Sequence, residues 1–331
     1  YDSRILNLFI KDKSRIRSFT YGLSNNQSKS FEVVHAKKIA ELLGTNWQQI
    51  TLGDFHQYFE DWDSLFGTST HAHGMYHIEF YKKILPKIQG GNPFLSGIFG
   101  DIWAGNSEYQ NLLSSSDLKK IGYTHGLSAD SRKSRLKCDY NIRNSFWMKN
   151  ANKLNLQFYQ TIALIRLKMI LISYLIRVPE YFKFQVWSPF LDTEIALSML
   201  TLPPLRRKNR LWQKEFFKKY GLDLESMNLK ANKQNKLNYQ AMRRVPVSPL
   251  DVNLLREVIE PSYVEWINSY VAQQDSFWNW FWGLRRVPKV GGAMKRIGIE
   301  DKPINAYRAY LTLKPIENLL IRRNQEYNSV S

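Results

Sequence analysis

The first hundred residues alternate between strand-like and helix-like patterns of apolar side chains. In chain order, the pattern predicts a strand over 15–22, a helix over 31–43 that ends at Gly44, a strand over 47–52, a helix over 73–88 that ends near Gly90 and Gly91, and a strand over 93–97. This order is typical of a parallel sheet with crossover helices. Ligands bind such sheets at the carboxyl ends of the strands, where we expect Ser3, Tyr21 and Ser96 to lie.

A mainly helical pattern follows from about residue 107. The segment 114–141 is polar and interrupted, and no strand-rich stretch is found in this part of the sequence. Helical spacing recurs over 150–176, 193–200, 211–220, 252–272 and 304–321. We therefore predict an α/β fold in two parts. A nucleotide-binding part with a parallel sheet covers 1–107, and a mostly α-helical part covers 108–331.

An acid and a hydroxyl precede the first apolar helical stretch, which covers 5–10. Asp2 and Ser3 therefore occupy a predicted helix N-terminus, where free backbone N–H groups and the helix dipole favour an anion. Two glycines before Tyr1 would make this segment the end of a phosphate-binding loop. The hypothesis that the chain binds a nucleotide depends on this interpretation.

A second candidate site follows the predicted strand at 93–97. Ser96 and Gly97 end the strand, and glycine there permits close approach of a ligand to the backbone. Gly100 then places the carboxylate of Asp101 at a turn. Asp2 and Asp101 could share a Mg²⁺ on the phosphates of a nucleotide, because hard cations prefer oxygen ligands. The alternative is a tight turn in which the aspartate only caps a helix.

The composition indicates a folded protein with a large core. Of the 331 residues, 44% are hydrophobic, and 10 Trp, 18 Tyr and 18 Phe argue against disorder. The single cysteine, Cys138, excludes an internal disulfide framework, fits a reducing compartment such as the cytoplasm, and is interpreted as structural. The apolar segment 162–176 contains Arg166 and Lys168 and is too short to span a bilayer, so we predict a core helix and no membrane span.

The chain is strongly basic, with a formal net charge of +18. Residues 205–244 hold twelve Lys and Arg side chains and only three acids. Such an excess can mark a nucleic-acid site, but no recognised nucleic-acid module accompanies it. We favour a solvated or phosphate-facing surface over a dedicated nucleic-acid interface.

Two other clusters of side chains each have a structural and a functional interpretation. His71, His73 and His77 could ligate a metal, since the last two share a helix face. No cysteine supports this, and Glu79 is the only acid nearby, so we do not favour a metal site. The aromatic run 277–282 is expected to pack in the core or between lobes. A contact with a partner or a membrane surface is the alternative.

Five segments resemble motifs of the asparagine synthetase family, in the order and spacing of that family from residue 1 to about 220. Residues 1–3 are similar to the end of S-G-G-x-D-S, 18–22 to the second strand, 36–45 to A-x-x-x-A-x-x-L-G-T, 95–101 to L-S-G-E-G-x-D-E, and 188–192 to the P-F-L-D segment. Beyond residue 245 the resemblance is faint.

The resemblance implies an ATP pyrophosphatase domain of the adenine nucleotide alpha hydrolase kind that uses ATP and Mg²⁺. An aspartate-like carboxylate would attack the α-phosphorus and release pyrophosphate, and ammonia or an amine would then convert the acyl-adenylate to an amide. The family pattern implies catalytic roles for Asp101 and Arg210, and Mg²⁺ binding by Asp2 and Asp101. The implied ATP-binding residues are Tyr1, Asp2, Ser3, Tyr21, Leu95, Ser96 and Gly97.

Three positions depart from the family pattern. Ile98 and Ile102 stand where the family has glutamates, and Arg210 stands where it has lysine. Isoleucine neither binds metal nor moves a proton, and arginine keeps the charge with a different geometry. These departures argue more strongly against asparagine formation than against ATP binding. The alternatives are an amidotransferase acting on another carboxylate, such as a modified sugar or peptide, an RNA-modifying ATP pyrophosphatase, and a degenerate nucleotide-binding protein.

The sequence contains neither the family's glutaminase domain nor its first strand, which would run through the centre of the sheet. We therefore expect the chain to be a fragment, with both upstream of Tyr1 in the full-length protein. The expected partners are a small-molecule carboxylate, an ammonia or amine donor and that glutaminase domain. The sequence does not determine the oligomeric state, for which a homodimer is one option.

Overall fold

A computed structural model describes residues 1–88, 93–105, 109–122, 128–137, 139–271, 287–298 and 300–330. The chain forms two compact units, each built from three stretches. The first unit contains 1–52, 77–125 and 139–237, and the second contains 53–76, 126–138 and 238–331. The described part is mostly helical with small parallel sheets, which is compatible with an α/β fold. The predicted division near residue 107 rests on sequence pattern and stays a prediction.

The elements are short, apart from the last helix. The strands are β1 (Arg17–Tyr21), β2 (Asn46–Ile50), β3 (Pro93–Leu95) and β4 (Gln185–Trp187). The described α-helices are α1 (Asp2–Phe9), α2 (Phe31–Leu43), α3 (Phe59–Phe66), α4 (Tyr76–Ile84), α5 (Gly100–Trp103), α6 (Tyr140–Leu154), α7 (Gln157–Ile172), α8 (Tyr174–Tyr181), α9 (Thr193–Leu200), α10 (Pro204–Arg207), α11 (Leu211–Lys219), α12 (Leu237–Arg244), α13 (Val252–Leu255), α14 (Pro261–Val271), α15 (Pro288–Arg296) and α16 (Lys302–Val330).

The first sheet has the predicted strand–helix–strand order. β1 and β2 pair in parallel, from Arg17 opposite Asn46 to Tyr21 opposite Ile50, and α2 connects them. The helix ends where the sequence predicts. Gly44 adopts φ +65° and donates its N–H to the Ala40 carbonyl, which closes the last turn.

The second sheet joins segments far apart in the chain. β3 pairs in parallel with β4, with Phe94 opposite Val186. The second half was expected to be mostly helical without a strand-rich stretch, and β4 is a short strand that this expectation did not include. A strand of three residues is too short to produce an alternating pattern, and its pairing depends on a tertiary contact. The four described strands form two separate two-stranded sheets and not one continuous sheet.

Aromatic side chains pack around the second sheet in the first unit. The ring of Phe94 on β3 lies 5.5 Å from the ring of Tyr81 on α4 and 5.7 Å from that of Phe184, measured between centroids. Phe182 also packs against Tyr81. The rings bury apolar area on the sheet's face and so hold β3 and β4 against α4.

The core of the second unit lies around α16 and α3. Trp62, Tyr307 and Tyr310 are almost completely buried there. His56 joins this core through two hydrogen bonds of 2.6 Å: its Nδ1 donates to the Val245 carbonyl, and its Nε2 accepts from the Tyr307 hydroxyl. Burial lowers the pKa of His56 to about 4. The imidazole is therefore neutral at pH 7.

The helical pattern predicted over 150–176 corresponds to parts of α6, α7 and α8. The apolar α7 buries Ile165 and Ile172 but exposes Ile170. No helix in the described ranges combines the length and the apolarity that crossing a membrane requires. Cys138, the glycines at 90 and 91, and the aromatic run at 277–282 lie outside the described residues.

Candidate functional site

The first element of the candidate site is the N-terminus of α1. The helix is anchored by Ile5, which is buried with Phe217 and Leu222. Arg4 is also buried; its guanidinium donates to the Leu222 carbonyl at 2.9 Å and to the Glu225 carboxylate at 3.1 Å. These contacts fix the helix in the first unit, and Asp2 is its first residue.

The second element is the turn that connects β3 to α5. Ser96 donates its backbone N–H to the Trp187 carbonyl at 2.9 Å, which continues the β3–β4 pairing. The Ile98 N–H then donates to the Ser96 hydroxyl at 3.2 Å. Phe99 adopts φ +67°, a conformation that is strained for a residue with a side chain. The turn brings Gly100 and the acid that follows it to the start of α5.

These two elements meet at glycine positions. A Cβ added at Gly97 would lie 3.0 Å from the Asp2 Cβ and 3.2 Å from the Ser3 backbone nitrogen. A Cβ added at Gly100 would lie 2.8 Å from the Asp2 Cγ and 2.9 Å from the ring of Phe190. Only the absence of side chains at both positions lets α1 approach the turn so closely.

The carboxylates of Asp2 and Asp101 interact across this contact. Burial raises the pKa of Asp2, and the negative charge of Asp101 raises it further. The Asp2 Oδ1 accepts a hydrogen bond of 3.3 Å from the amide of Gln213 on α11. Asp2 therefore lies against the glycines that precede Asp101, in the first unit.

Two polar contacts of this site were not predicted from the sequence. Lys168 on α7 lies 3.6 Å from the Asp101 carboxylate, and Gln213 contacts Asp2. The only sequence signal for Lys168 is a charge inside an apolar helical segment, and such a charge indicates only that the segment does not span a membrane. Gln213 gives no signal, because a glutamine on a predicted helix is ordinary.

Tyr1 and Arg210 form a stacked pair beside α1. The Arg210 guanidinium lies 4.3 Å from the centre of the Tyr1 ring. Asn209 and Arg210 have φ of +51° and +57°, so two successive left-handed residues direct this arginine. The Tyr1 hydroxyl has its pKa raised to about 12, first by burial and then by its hydrogen bond to Glu225.

An open cleft of about 370 Å³ lies on the Tyr1 side of α1. Its lining residues are Tyr1, Lys214, Glu215, Lys218, Asp223 and Glu225. The lining includes neither Asp2 nor Asp101. The cleft is therefore a neighbour of the carboxylate pair and not the position that a shared cation would occupy.

The remaining predicted nucleotide-binding residues lie at strand ends. Leu95 ends β3 and is partly exposed, while Tyr21 ends β1 in the other sheet. The Tyr21 ring packs edge-on against Phe80 at 5.2 Å and His77 at 6.1 Å. Ser3 is exposed on α1.

The two isoleucines that depart from the family pattern are core residues. Ile98 and Ile102 are 9% and 2% exposed, respectively. The Ile98 carbonyl accepts a hydrogen bond of 3.2 Å from the Ser188 hydroxyl. Both isoleucines anchor by packing the segment 96–102, called the acidic turn because it carries Asp101, and neither provides a polar group to the site.

The described residues contain no group of three or more His, Cys, Asp and Glu side chains arranged to hold a metal ion. His71 and His73 contact each other in the second unit, where the His73 backbone N–H donates to the His71 Nδ1 at 3.1 Å. His77 belongs to the first unit, where its ring packs against Tyr21 and Tyr174. The Asp2–Asp101 pair offers two carboxylates, which suits a cation that also takes phosphate oxygens and water.

No known family model and no curated protein sequence matches the chain.

Proposed function

We propose that the chain binds ATP with Mg²⁺ and activates a carboxylate as an acyl-adenylate, releasing pyrophosphate, after which ammonia or an amine forms an amide. The fold would be that of an ATP pyrophosphatase domain resembling the asparagine synthetase family. The observation that carries the proposal is the contact between α1 and the acidic turn. That contact places Asp2 against Gly97 and Gly100 and within electrostatic range of Asp101.

The site supplies positioning and charge compensation. Asp2 and Asp101 would hold Mg²⁺, which neutralises phosphate charge when bound. Gln213 orients the Asp2 carboxylate through its hydrogen bond. Arg210 adds a fixed positive charge, which its stacking on Tyr1 directs. A preorganised set of such groups stabilises the charge that develops as pyrophosphate leaves.

Lys168 is a further cation at this site. Its ammonium lies 3.6 Å from the Asp101 carboxylate and would compete with a metal for it. Lys168 is only partly exposed, so its charge is less screened than that of a surface lysine. In the proposed complex Lys168 turns from Asp101 to a phosphate oxygen.

A second candidate is nucleotide binding without amide formation. The burial of Ile98 and Ile102 favours it, because two glutamates of the related pattern are replaced by core residues that cannot transfer a proton. ATP binding through Asp2 and Asp101 is common to both candidates.

The test is carboxylate-dependent exchange of labelled pyrophosphate into ATP, measured on the wild-type chain and on Asp101→Asn. We expect exchange with the wild type and a loss of at least 100-fold in the variant, about 3 kcal/mol of lost stabilisation. Glu194→Gln is the control, since it removes an exposed acid from the first turn of α9.

The outcomes separate the candidates. Saturable ATP binding without exchange for any carboxylate supports the binding-only candidate. Exchange that persists in Asp101→Asn contradicts the proposed site.

A further inference from the structure

Five Asp, Glu, Lys or Arg side chains are almost fully buried in the described part of the chain, and four of them have an ion-pair partner. Arg4 pairs with Glu225 at 3.1 Å, and Glu79 with Lys83 at 2.6 Å. The other two pairs are Asp63 with Arg322 and Glu317 with Lys314. The fifth buried charge is Arg207.

Arg207 differs from the other four because it has no counter-charge among the described residues. The side chain is 4% exposed, and its Nε and Nη1 have no hydrogen-bond partner there. Arginine does not relieve such burial by losing its proton at neutral pH. An unpaired buried charge costs several kcal/mol, so a folded protein normally supplies a partner.

The position of Arg207 connects it to the acidic turn. Arg207 ends α10, and a Cβ added at Gly105 would lie 2.0 Å from the Arg207 carbonyl oxygen. Gly105 follows α5, the helix that carries Asp101. A neighbouring hydrogen bond of 3.1 Å, which the Trp212 Nε1 donates to the Ala104 carbonyl, connects the same two segments.

A second buried donor without an acceptor lies in the same region. The Nε1 of Trp103, two residues before Gly105, is buried and has no hydrogen-bond partner among the described residues. The contacts around Gly105 therefore bring together segments that carry unused N–H donors. An oxyanion would accept hydrogen bonds from the unpaired N–H groups and would compensate the positive charge of Arg207.

We infer that the Arg207 guanidinium binds an oxyanion of a ligand, either a phosphate group or a carboxylate, beside the turn that carries Asp101. The planar N–H donors of arginine match both groups. The assignment of this oxyanion to a nucleotide or to the acceptor substrate rests on the proposed function. The existence of the anion site does not, because it follows from the burial of Arg207.

The test is thermal unfolding of the whole chain in sulfate, pyrophosphate, succinate or L-aspartate, each against chloride at matched ionic strength. We expect at least one oxyanion to raise the unfolding temperature saturably for the wild type. Arg207→Met should lose that shift, with an apparent Kd at least tenfold weaker. Arg206→Met is the matched control, since this neighbouring arginine is exposed and pairs with Glu215.

Arg207→Lys keeps the proposal testable if the methionine variant does not fold. Lysine retains the charge but not the planar donors, so we expect a weaker shift that is still present. A wild-type chain with no response to any of the four anions would overturn the inference. So would an equal response in Arg207→Met or Arg207→Lys and the wild type.

The anion series also identifies the source of the oxyanion. A response to pyrophosphate and sulfate assigns Arg207 to phosphate, and a response to succinate or aspartate assigns it to a carboxylate. Asp101→Asn separates this inference from the proposed function. That variant should lose pyrophosphate exchange while keeping the sulfate or carboxylate shift, so failure of one experiment does not imply failure of the other.

Discussion

Gly100 shows how a single missing side chain determines the geometry of the candidate site. The space that a Cβ would fill is taken by the Asp2 carboxylate and the Phe190 ring. Neither can withdraw freely, because Asp2 is part of α1 and Phe190 is 4% exposed. Any side chain at this position must push α1 away from the turn.

We therefore predict that Gly100→Ala destabilises the fold by about 1–3 kcal/mol, the usual cost of overpacking, and weakens binding of Mg·ATP. Urea unfolding and nucleotide titration measure the two effects. Gly292→Ala is the control, since an added Cβ there meets nothing within 4 Å. An alanine at 100 that leaves both quantities at wild-type values would contradict the described contact.

His56 links stability to pH. Its pKa is lowered to about 4 by burial, whereas an unfolded chain titrates its histidines near 6.5. Between these values the unfolded state binds a proton that the folded state does not, so stability falls as the pH drops below about 6.5. Burial also lowers the pKa of His73 and His77, which adds to the trend.

We predict that His56 alone lowers the free energy of unfolding by about 2 kcal/mol between pH 7 and pH 5, since one pKa unit corresponds to about 1.4 kcal/mol. The measurement is the free energy of unfolding across that range in wild type and His56→Gln. The variant should be less stable at pH 7 and should show a shallower pH slope. Equal slopes would mean that the pKa of His56 is the same in the folded and unfolded states, which contradicts the shift attributed to its burial.

Among the helices and strands, the sequence pattern predicts those whose formation depends on local interactions. The sequence predicts α2 over its full observed range, because its apolar face repeats at helical spacing and Gly44 supplies the left-handed cap. β4 was missed, because three residues carry too little pattern and the strand exists through its pairing with β3. The helical pattern over 150–176 does not show where the helices are interrupted, which is at Asn155 and Ser173, where polar residues allow the chain to turn.

The residues of the candidate site also divide into those that the sequence predicts and those that it does not. Asp2 and Asp101 could be proposed from the sequence because each lies in a recognisable local segment. Lys168 and Gln213 could not, because their contacts with those acids cross 67 and 211 residues of chain and leave no local signature. Arg207 is one of twelve basic residues in 205–244, and only its burial distinguishes it.

Two glycines with left-handed backbones allow the contact at α10 to be tested. Gly44 has φ +65° with nothing near its Cβ position, while Gly105 has φ +98° and a Cβ added there would overlap the Arg207 carbonyl oxygen. We expect Gly44→Ala to cost about 1 kcal/mol, the backbone penalty alone. Gly105→Ala should cost at least twice as much, measured as the free energy of unfolding. Equal costs would show that the chain between α5 and α10 relaxes freely.

For the whole molecule, ion pairs within each unit involve some of the basic side chains but leave the net charge of +18 unchanged. In the basic segment, Arg206 pairs with Glu215, and Arg244 lies 3.6 Å from the Asp54 carboxylate. The excess of positive charge is compatible with a surface that attracts anionic ligands. It does not by itself identify RNA, because non-specific attraction to a polyanion needs only the charge.

The central claim is that Asp2 and Asp101 act together in holding Mg·ATP. A double-mutant cycle tests it directly, with the Mg·ATP affinities of wild type, Asp2→Asn, Asp101→Asn and the double variant measured by calorimetry. Two ligands of one cation give non-additive losses, so the double variant should bind little more weakly than either single variant, with a coupling energy of about 1–3 kcal/mol. Losses that add fully, or single variants that bind Mg·ATP as tightly as the wild type, would contradict a shared site.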